Sequence, residues 1–132
     1  MPDILECVYA YLIDKNIAGG KIYPEIIPQD TKLPAIAYTQ TNCNRDSALQ
    51  KDTGFARINM QFNCYGDTFA AARALGKEII SALRDYKGDM KGADIQAVFI
   101  RNEYITTGTL KQSYDTERFT SVIETEIYYM EE

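Results

Sequence analysis

The segment from Phe55 to Gly66 constrains the fold more than any other part of the chain, because eight consecutive residues within it, Arg57 to Cys64, alternate strictly between polar and apolar. A period of two residues is typical of a strand with one buried face. We therefore predict a sheet that is buried on one side. The inward side chains are Ile58, Met60, Phe62 and Cys64, and the opposite ones are Arg57, Asn59, Gln61, Asn63 and Tyr65.

A first helix is predicted near the start of the chain. Asp3 stands at its cap position with Glu6 three residues later, which is the acidic form of a capping box. Asn16 and the Gly19–Gly20 pair end it, since glycine readily adopts the left-handed turn that stops a helix. Its apolar stripe, at spacings of three and four residues, comprises Ile4, Leu5, Val8, Tyr11 and Leu12.

A second and longer helix is predicted after the break at Gly66. Asp67 is its expected cap, the helix extends to about Tyr86, and Gly88 stops it. Its apolar face is wide enough to cover a sheet. This face comprises Phe69, Ala72, Leu75, Gly76, Ile79, Ile80, Leu83 and Tyr86.

Three more segments have strand character, in residues 33–42, 93–105 and 118–132. Pro24 and Pro28 place residues 21–29 at a sheet edge or in an irregular arm, because proline donates no ladder hydrogen bond. Two polar stretches without apolar periodicity, Cys43–Gly54 and Thr106–Glu117, are predicted to be long loops. In the last strand, Glu124 and Glu126 fall on the face opposite Ile123 and Ile127.

This order of elements predicts an α+β fold: an antiparallel or mixed β-sheet with two α-helices packed on one face. The length of 132 residues suits a single domain, residues 1–132, with a core of its own.

Charge and composition exclude several classes of function. The chain has 14 basic and 19 acidic residues, a net charge of −5, which disfavours a protein whose main partner is a phosphate backbone. Its uncharged apolar stretches are far shorter than the roughly 20 residues that span a bilayer, and its first residues do not resemble a secretory signal. We therefore expect a protein that stays in the cell that makes it and does not enter membranes.

The chain lacks the residues of common catalytic sites. It contains no histidine, which removes serine–histidine and cysteine–histidine nucleophiles, and no glycine-rich phosphate motif. Glu124 and Glu126 are either an acid/base or divalent-ion pair or, as we favour, a solvated strand face. Cys7, Cys43 and Cys64 are predicted to be reduced thiols, with Cys64 buried. We expect a non-enzymatic protein without cofactor or metal.

Tyrosine is abundant, with ten residues, and tyrosines suit protein interfaces because the ring covers area while the hydroxyl stays hydrated. Tyr65, Tyr104 and Tyr128 fall outward by period-two counting. The alternative explanation is the strand propensity of tyrosine, and it competes evenly.

Several segments, taken in order, resemble the tail-completion proteins of tailed bacteriophages, also called tail terminators. They are residues 21–40 (KIYPEIIPQDTKLPAIAYTQ), the strand that passes through Gly66-Asp67 into an alanine-rich helix, the late SYD loop, and the final strand. The resemblance extends from about Leu5 to Met130.

The resemblance implies a hexameric ring on the end of the tail tube, which stops tube polymerisation and presents the surface that joins the head. The implied partners are other copies of the chain, the tail tube protein and the head–tail connector protein. DNA would pass through the ring without sequence-specific binding, and six copies at −5 each would carry −30. The implied location is the virion tail or neck, after assembly in the host bacterial cytoplasm.

The resemblance transfers no individual site residue, so the two polar stretches supply the candidate interface residues. They are Arg45, Lys51 and Arg57 on one side and Lys111 and Tyr114 on the other. Two alternatives stay open, namely another head–tail neck or connector component and a small cytosolic, non-enzymatic binding domain. A hydrolase ranks last because histidine is absent.

Overall fold

The computed structural model describes residues 3–27, 32, 34–47, 52–109 and 117–130. Two helices, a short 3-10 turn at Ile17–Gly20 and six strands follow one another along the chain. In chain order the elements are α1 (Ile4–Asp14), β1 (Ile22–Pro24), β2 (Ala35–Ser47), β3 (Asp52–Gly66), α2 (Phe69–Leu83), β4 (Gly88–Met90), β5 (Ala93–Thr109) and β6 (Glu117–Met130).

All six strands belong to one sheet in the order β1-β2-β3-β6-β5-β4. Strands β1 and β2 pair in parallel, and the other neighbours pair antiparallel. The predicted α+β class is confirmed, with a mixed sheet. The described part of the proline-containing segment does lie at a sheet edge, since β1 is the terminal strand of the described sheet and pairs with β2.

The core lies between the helices and one face of the sheet. Ile58, Met60, Phe62 and Cys64 of β3 are each at most 1% exposed, which confirms the period-two prediction. Ile123 and Ile127 of β6 lie beside them and are fully buried. Each such side chain contributes about 1.5–3 kcal/mol through removal from water. Both helices complete this one cluster, through residues that include Val8, Leu12, Ile79 and Leu83.

The second helix begins and ends at residues other than those predicted. Its cap is Thr68, whose hydroxyl accepts a hydrogen bond of 3.0 Å from the N–H of Ala71, and the assignment of Asp67 as cap was wrong. The helix ends at Leu83, because Arg84 has an extended ψ of 130°. Tyr86 lies beyond the helix and packs edge-on against Tyr11, with ring centroids 5.0 Å apart.

Two smaller expectations for the helices also fail. Asp3 is the N-cap residue of α1, but its side chain forms no capping hydrogen bond. Phe69, assigned to the apolar face of α2, is 51% exposed in the first turn of the helix, where its ring packs edge-on against Phe119 with ring centroids 6.3 Å apart.

Two glycines allow close approach between backbone segments. A Cβ on Gly66 would lie 2.5 Å from the backbone nitrogen of Ala72, so a side chain there would block the turn from β3 into α2. A Cβ on Gly76 would overlap Oγ of Ser121 and lie 3.1 Å from its Cβ. The helix therefore lies against β6 at Gly76 at a distance that only glycine permits.

Every described residue of the two predicted long loops lies in a strand, so for these residues the prediction was wrong. Strand β2 continues to Ser47, which pairs with Asp52, and β5 continues to Thr109, which pairs with Glu117. A two-stranded ribbon satisfies its backbone by pairing and needs no buried face, so it leaves no apolar period in the sequence. Residues 48–51 and 110–116, the remainder of the two stretches, lie outside the described part of the chain.

The two ribbons leave the sheet at opposite ends. Strand β3 pairs with β6 from Phe55 opposite Met130 to Gly66 opposite Phe119. The β2–β3 ribbon continues beyond the Phe55 end, and the β5–β6 ribbon continues beyond the Phe119 end. We call the described ends of these ribbons the β2–β3 arm (residues 46–47 and 52–55) and the β5–β6 arm (residues 108–109 and 117–118).

Candidate functional site

The helices leave the second face of the sheet uncovered in the described part of the chain, and this open face carries polar and aromatic side chains. Its centre is formed by the strands β3, β6 and β5, whose register places Asn59 opposite Glu126 and Glu126 opposite Phe99. The face also contains Arg57, Gln61, Asn63, Val122, Glu124, Tyr128, Arg101 and Tyr104.

An ion cluster occupies the middle of this face. Glu126 is only 8% exposed, and Arg101 donates to its Oε1 through Nε at 2.8 Å and through a terminal guanidinium nitrogen. Nε of Arg57 lies 3.4 Å from the other carboxylate oxygen. Arg101 is the extra residue of a β-bulge between Ile100 and Asn102, and a bulge re-aims a side chain within its strand.

The electrostatics of Glu126 follow from these contacts. Burial acts to raise its pKa, but the hydrogen bonds from Arg101 and Tyr128 and the charges of Arg101 and Arg57 outweigh burial, so the pKa lies below its ordinary value. Glu126 is therefore an ionised, structural carboxylate. Its assignment to a solvated face was wrong, because two arginines from neighbouring strands cover it. Within the described ranges no group of three or more metal-binding side chains occurs.

Exposed aromatic rings border the ion cluster. Phe99 is 44% exposed and packs edge-on against Tyr128, with ring centroids 5.7 Å apart. The guanidinium of Arg101 lies 4.8 Å from the Phe99 ring centroid. Tyr104, further along β5, is 42% exposed. Phenylalanine, tyrosine and arginine are enriched in protein interfaces. Oδ1 of Asn59, on the same face, is buried and has no hydrogen-bond partner among the described residues. The chemistry of the open face is therefore that of a protein–protein contact.

The structure describes only some of the candidate interface residues that were predicted from the sequence. Arg57 belongs to the ion cluster. Arg45 lies on β2 opposite Ala56, next to Arg57 along the ladder, and its side chain is outside the described part. Lys51, Lys111 and Tyr114 also lie outside the described residues. Their role at an interface stays a prediction.

Sequence reasoning missed Phe99 and Arg101. Their spacing of two residues in a strand was a usable signal, because it places both on one face by simple alternation. The bulge at Arg101 and the partner Glu126, 25 positions later, have no such signal in the sequence.

Cys7 and Cys64 have the environment of structural thiols. Cys64 is fully buried, and burial raises the pKa of its thiol far above the ordinary value. Burial likewise raises the pKa of Cys7, whose thiol donates to the carbonyl oxygen of Lys91 at 3.4 Å. Both are free and buried, which suppresses thiolate formation and hence nucleophilic reactivity.

No helix in the described segments is both long and apolar enough to cross a membrane. The fold and the open face together define a class of protein: a small α+β domain whose uncovered sheet face carries arginine and aromatic side chains, residue types that are enriched in protein interfaces.

Comparison with known proteins gives the family. The model of the family "Tail completion protein gp17" matches residues 9–129, so the chain belongs to this family. This confirms the resemblance read from the sequence, and it makes the protein a structural component of a phage-type tail.

A solved structure of the virion of a native gene transfer agent particle contains a chain of similar fold. The similarity has a TM-score of 0.61 at 14% sequence identity and covers 92% of this chain and 84% of that chain. At this identity the likeness concerns the fold. No curated protein matches the sequence.

Proposed function

We propose that the protein is a tail terminator: it assembles as a hexameric ring on the end of the tail tube, stops tube polymerisation and forms the surface that joins the head. It acts as a single non-enzymatic domain. Its partners are other copies of itself, the tail tube protein and the head–tail connector protein. Six copies of 15.0 kDa make a ring of 90 kDa.

One observation carries the proposal beyond family membership. The β2–β3 arm and the β5–β6 arm leave the sheet at opposite ends. A protein that joins two different structures needs two different contact regions that face away from each other, and the arms supply one at each end. The two lateral edges of the sheet then remain for contacts between copies. A ring is built from heterologous contacts, in which two different patches of neighbouring copies meet.

The charge balance agrees with passage of DNA through such a ring without sequence-specific binding. Six copies at −5 each carry −30, and an acidic assembly repels a phosphate backbone. We place the protein in the virion tail or neck, after assembly in the cytoplasm of the bacterial host. The gene transfer agent virion is itself a particle of many proteins, and this fold occurs within it.

Shortening each arm separately tests the proposal. In one variant an Asn-Gly turn replaces residues 46–55 and joins Arg45 to its partner Ala56; in the other it replaces residues 108–118 and joins Thr107 to Phe119. Each variant is the control for the other, and circular dichroism checks their folding. Both are expressed in a particle-producing host that lacks the wild-type gene.

Electron microscopy of the particles gives the result. We expect loss of one arm to give tails of uncontrolled length, and loss of the other to give tails of normal length without heads. Normal, joined particles from both variants would overturn the proposal. If loss of the whole protein leaves tail length unchanged and blocks joining alone, the protein is another neck component. Light scattering of the protein, alone and with tail tubes, tests for the mass of the ring.

A further inference from the structure

An acidic, aromatic surface lies at the β1–β2 edge of the sheet. Tyr9 of α1 packs against Tyr38 of β2, with ring centroids 6.0 Å apart, and Tyr9 is 37% exposed. Glu25 is tied to β2 by its N–H, which donates to the Tyr38 carbonyl at 2.8 Å, and by the hydroxyl of Thr39, which donates to its carboxylate at 2.8 Å. The next residue, Ile26, is 72% exposed. We call this surface the acidic edge: Asp3, Glu6, Tyr9, Glu25, Ile26 and Tyr38.

The acidic edge carries negative charge close to an aromatic ring. Burial raises the pKa of Tyr38, and the nearby Tyr9, Asp3, Glu6 and Glu25 raise it further. Among the described residues, Asp3, Glu6 and Glu25 form no ion pair. The surface therefore combines uncompensated negative charge with an isoleucine and a tyrosine exposed to solvent.

A line of basic side chains lies on α2 near the opposite edge of the sheet. Arg73 and Lys77 are one helical turn apart, and Arg84 follows the last turn on the same side. Lys77 and Arg84 line a hollow between α2 and Glu103 of β5, together with Ile80 and Ser81. All three basic residues are exposed, and none has an ion-pair partner within the described chain. We call this line the basic stripe: Arg73, Lys77 and Arg84.

The two surfaces lie on opposite lateral sides of the molecule. Glu25 and Tyr38 of the acidic edge lie at the β1–β2 edge, and Tyr9 of α1 joins them through its contact with Tyr38. Lys77 and Arg84 of the basic stripe lie beside Glu103 of β5. Strands β1 and β5 are four positions apart in the sheet, about 19 Å at the usual spacing. At Glu103, β5 is the edge strand of the described sheet, because β4 pairs only with residues 93–95. Surfaces on opposite sides do not meet within one copy.

We propose that the acidic edge of one copy binds the basic stripe of the next copy, and that this contact closes the ring. The inference rests on the proposed function and names the surfaces through which the copies meet. Two different patches of opposite charge form a heterologous contact, and repetition of such a contact closes a ring when the rotation allows it. Charge complementarity also selects the partner and its register, because like charges brought together are strongly unfavourable. The two arms then remain free for the tail tube and the connector.

Charge reversal on each surface, followed by exchange of the two, tests the contact. The first variant carries Glu6→Lys and Glu25→Lys on the acidic edge, and the second carries Arg73→Glu and Lys77→Glu on the basic stripe. The third carries all four substitutions. A control reverses two exposed acids outside both surfaces, Asp67→Lys and Asp94→Lys, with the same charge change as the first variant. All four are compared with wild type in particle production by a host that lacks the gene, after thermal melts have checked folding.

We expect each two-site variant alone to lower the yield of joined particles more than about tenfold, because like charges then face each other between copies. The control keeps the wild-type yield. The four-site variant restores the yield because attraction is re-established with the signs exchanged. Co-expression of the two two-site variants also restores it, since one now presents two basic surfaces and the other two acidic ones. An alternating ring of these two variants closes with six members.

Two results would overturn the inference while the proposed function stands: two-site variants that match wild type, or losses that neither exchange nor co-expression restores. If tails have the same length with and without the wild-type protein, and the protein forms no ring on tails, the proposed function itself fails. The two failures are therefore distinguishable in one set of particles.

Discussion

Replacement of Gly76 by alanine tests how closely α2 lies against the sheet. In an exposed helical position this change stabilises a protein by about 1 kcal/mol, because alanine has the higher helix propensity. At Gly76 the new methyl group would overlap Oγ of Ser121, lie 3.1 Å from the Ser121 Cβ and lie 3.4 Å from Cδ1 of Ile123. Ser121 is 2% exposed on β6, which has β3 and β5 on its two sides, so it cannot move away.

The magnitude follows from these two opposing effects. Overpacking in a closed core costs about 1–3 kcal/mol, and the propensity gain offsets about 1 kcal/mol of it. We expect Gly76→Ala to lower the free energy of unfolding by up to about 2 kcal/mol, through a clash that the helix relieves only by moving off the strand. Urea titration followed by circular dichroism measures it, with an unchanged slope against urea as the check on two-state unfolding.

Two further variants separate the clash from helix propensity. Ala74→Gly, at an exposed position of the same helix, isolates propensity and should cost about 1 kcal/mol. In a Ser121→Gly background both nearest atoms are absent, so Gly76→Ala should become neutral or stabilising there. If Gly76→Ala stabilises the wild-type background instead, the helix does not lie as close to β6 as described, and the reasoning is refuted.

Three other predictions concern single residues. Because the pKa of Glu126 is depressed in the folded state, its contribution to stability is present above the unfolded value of 4.5 and is lost as pH falls from there through the folded pKa. In thermal melts between pH 3 and 7, the melting temperature of Glu126→Gln should therefore fall less steeply with acidification than that of wild type. An equal fall would contradict the ion cluster. Cys64 should resist alkylation at pH 9 in the folded protein and react after urea unfolding, as mass spectrometry of the peptide would show; rapid native labelling would mean that it is not buried. Thr68→Ala should lower stability by about 1 kcal/mol through loss of the helix cap, whereas Thr68→Ser should retain it, and equal losses would exclude the capping bond.

Local patterns were enough to predict most of the architecture. The alternation in β3 and the helical stripe of α1 depend on which side of an element faces the core, and that information is periodic along the chain. The family resemblance was also visible in the sequence, because it rests on the order of such segments. The family match over residues 9–129 agrees with it.

Boundaries and arms were less accessible to sequence reasoning. The choice of Thr68 over Asp67 as cap depends on which oxygen reaches the N–H of Ala71, a matter of geometry within one turn. The arms were missed because strand pairing between polar residues leaves no hydrophobic period.

The chain by itself determined that it forms a one-sided sheet covered by two helices, because burial of apolar side chains follows the local period. Only the tertiary structure determined which charged side chains of the open face pair with one another. The cluster of Glu126 with Arg57 and Arg101 depends on strand order, register and a bulge, which bring together residues from three strands. The placement of the acidic edge and the basic stripe on opposite sides likewise follows from the order of the strands, since charges far apart in sequence acquire a common or an opposite surface only when the sheet is assembled.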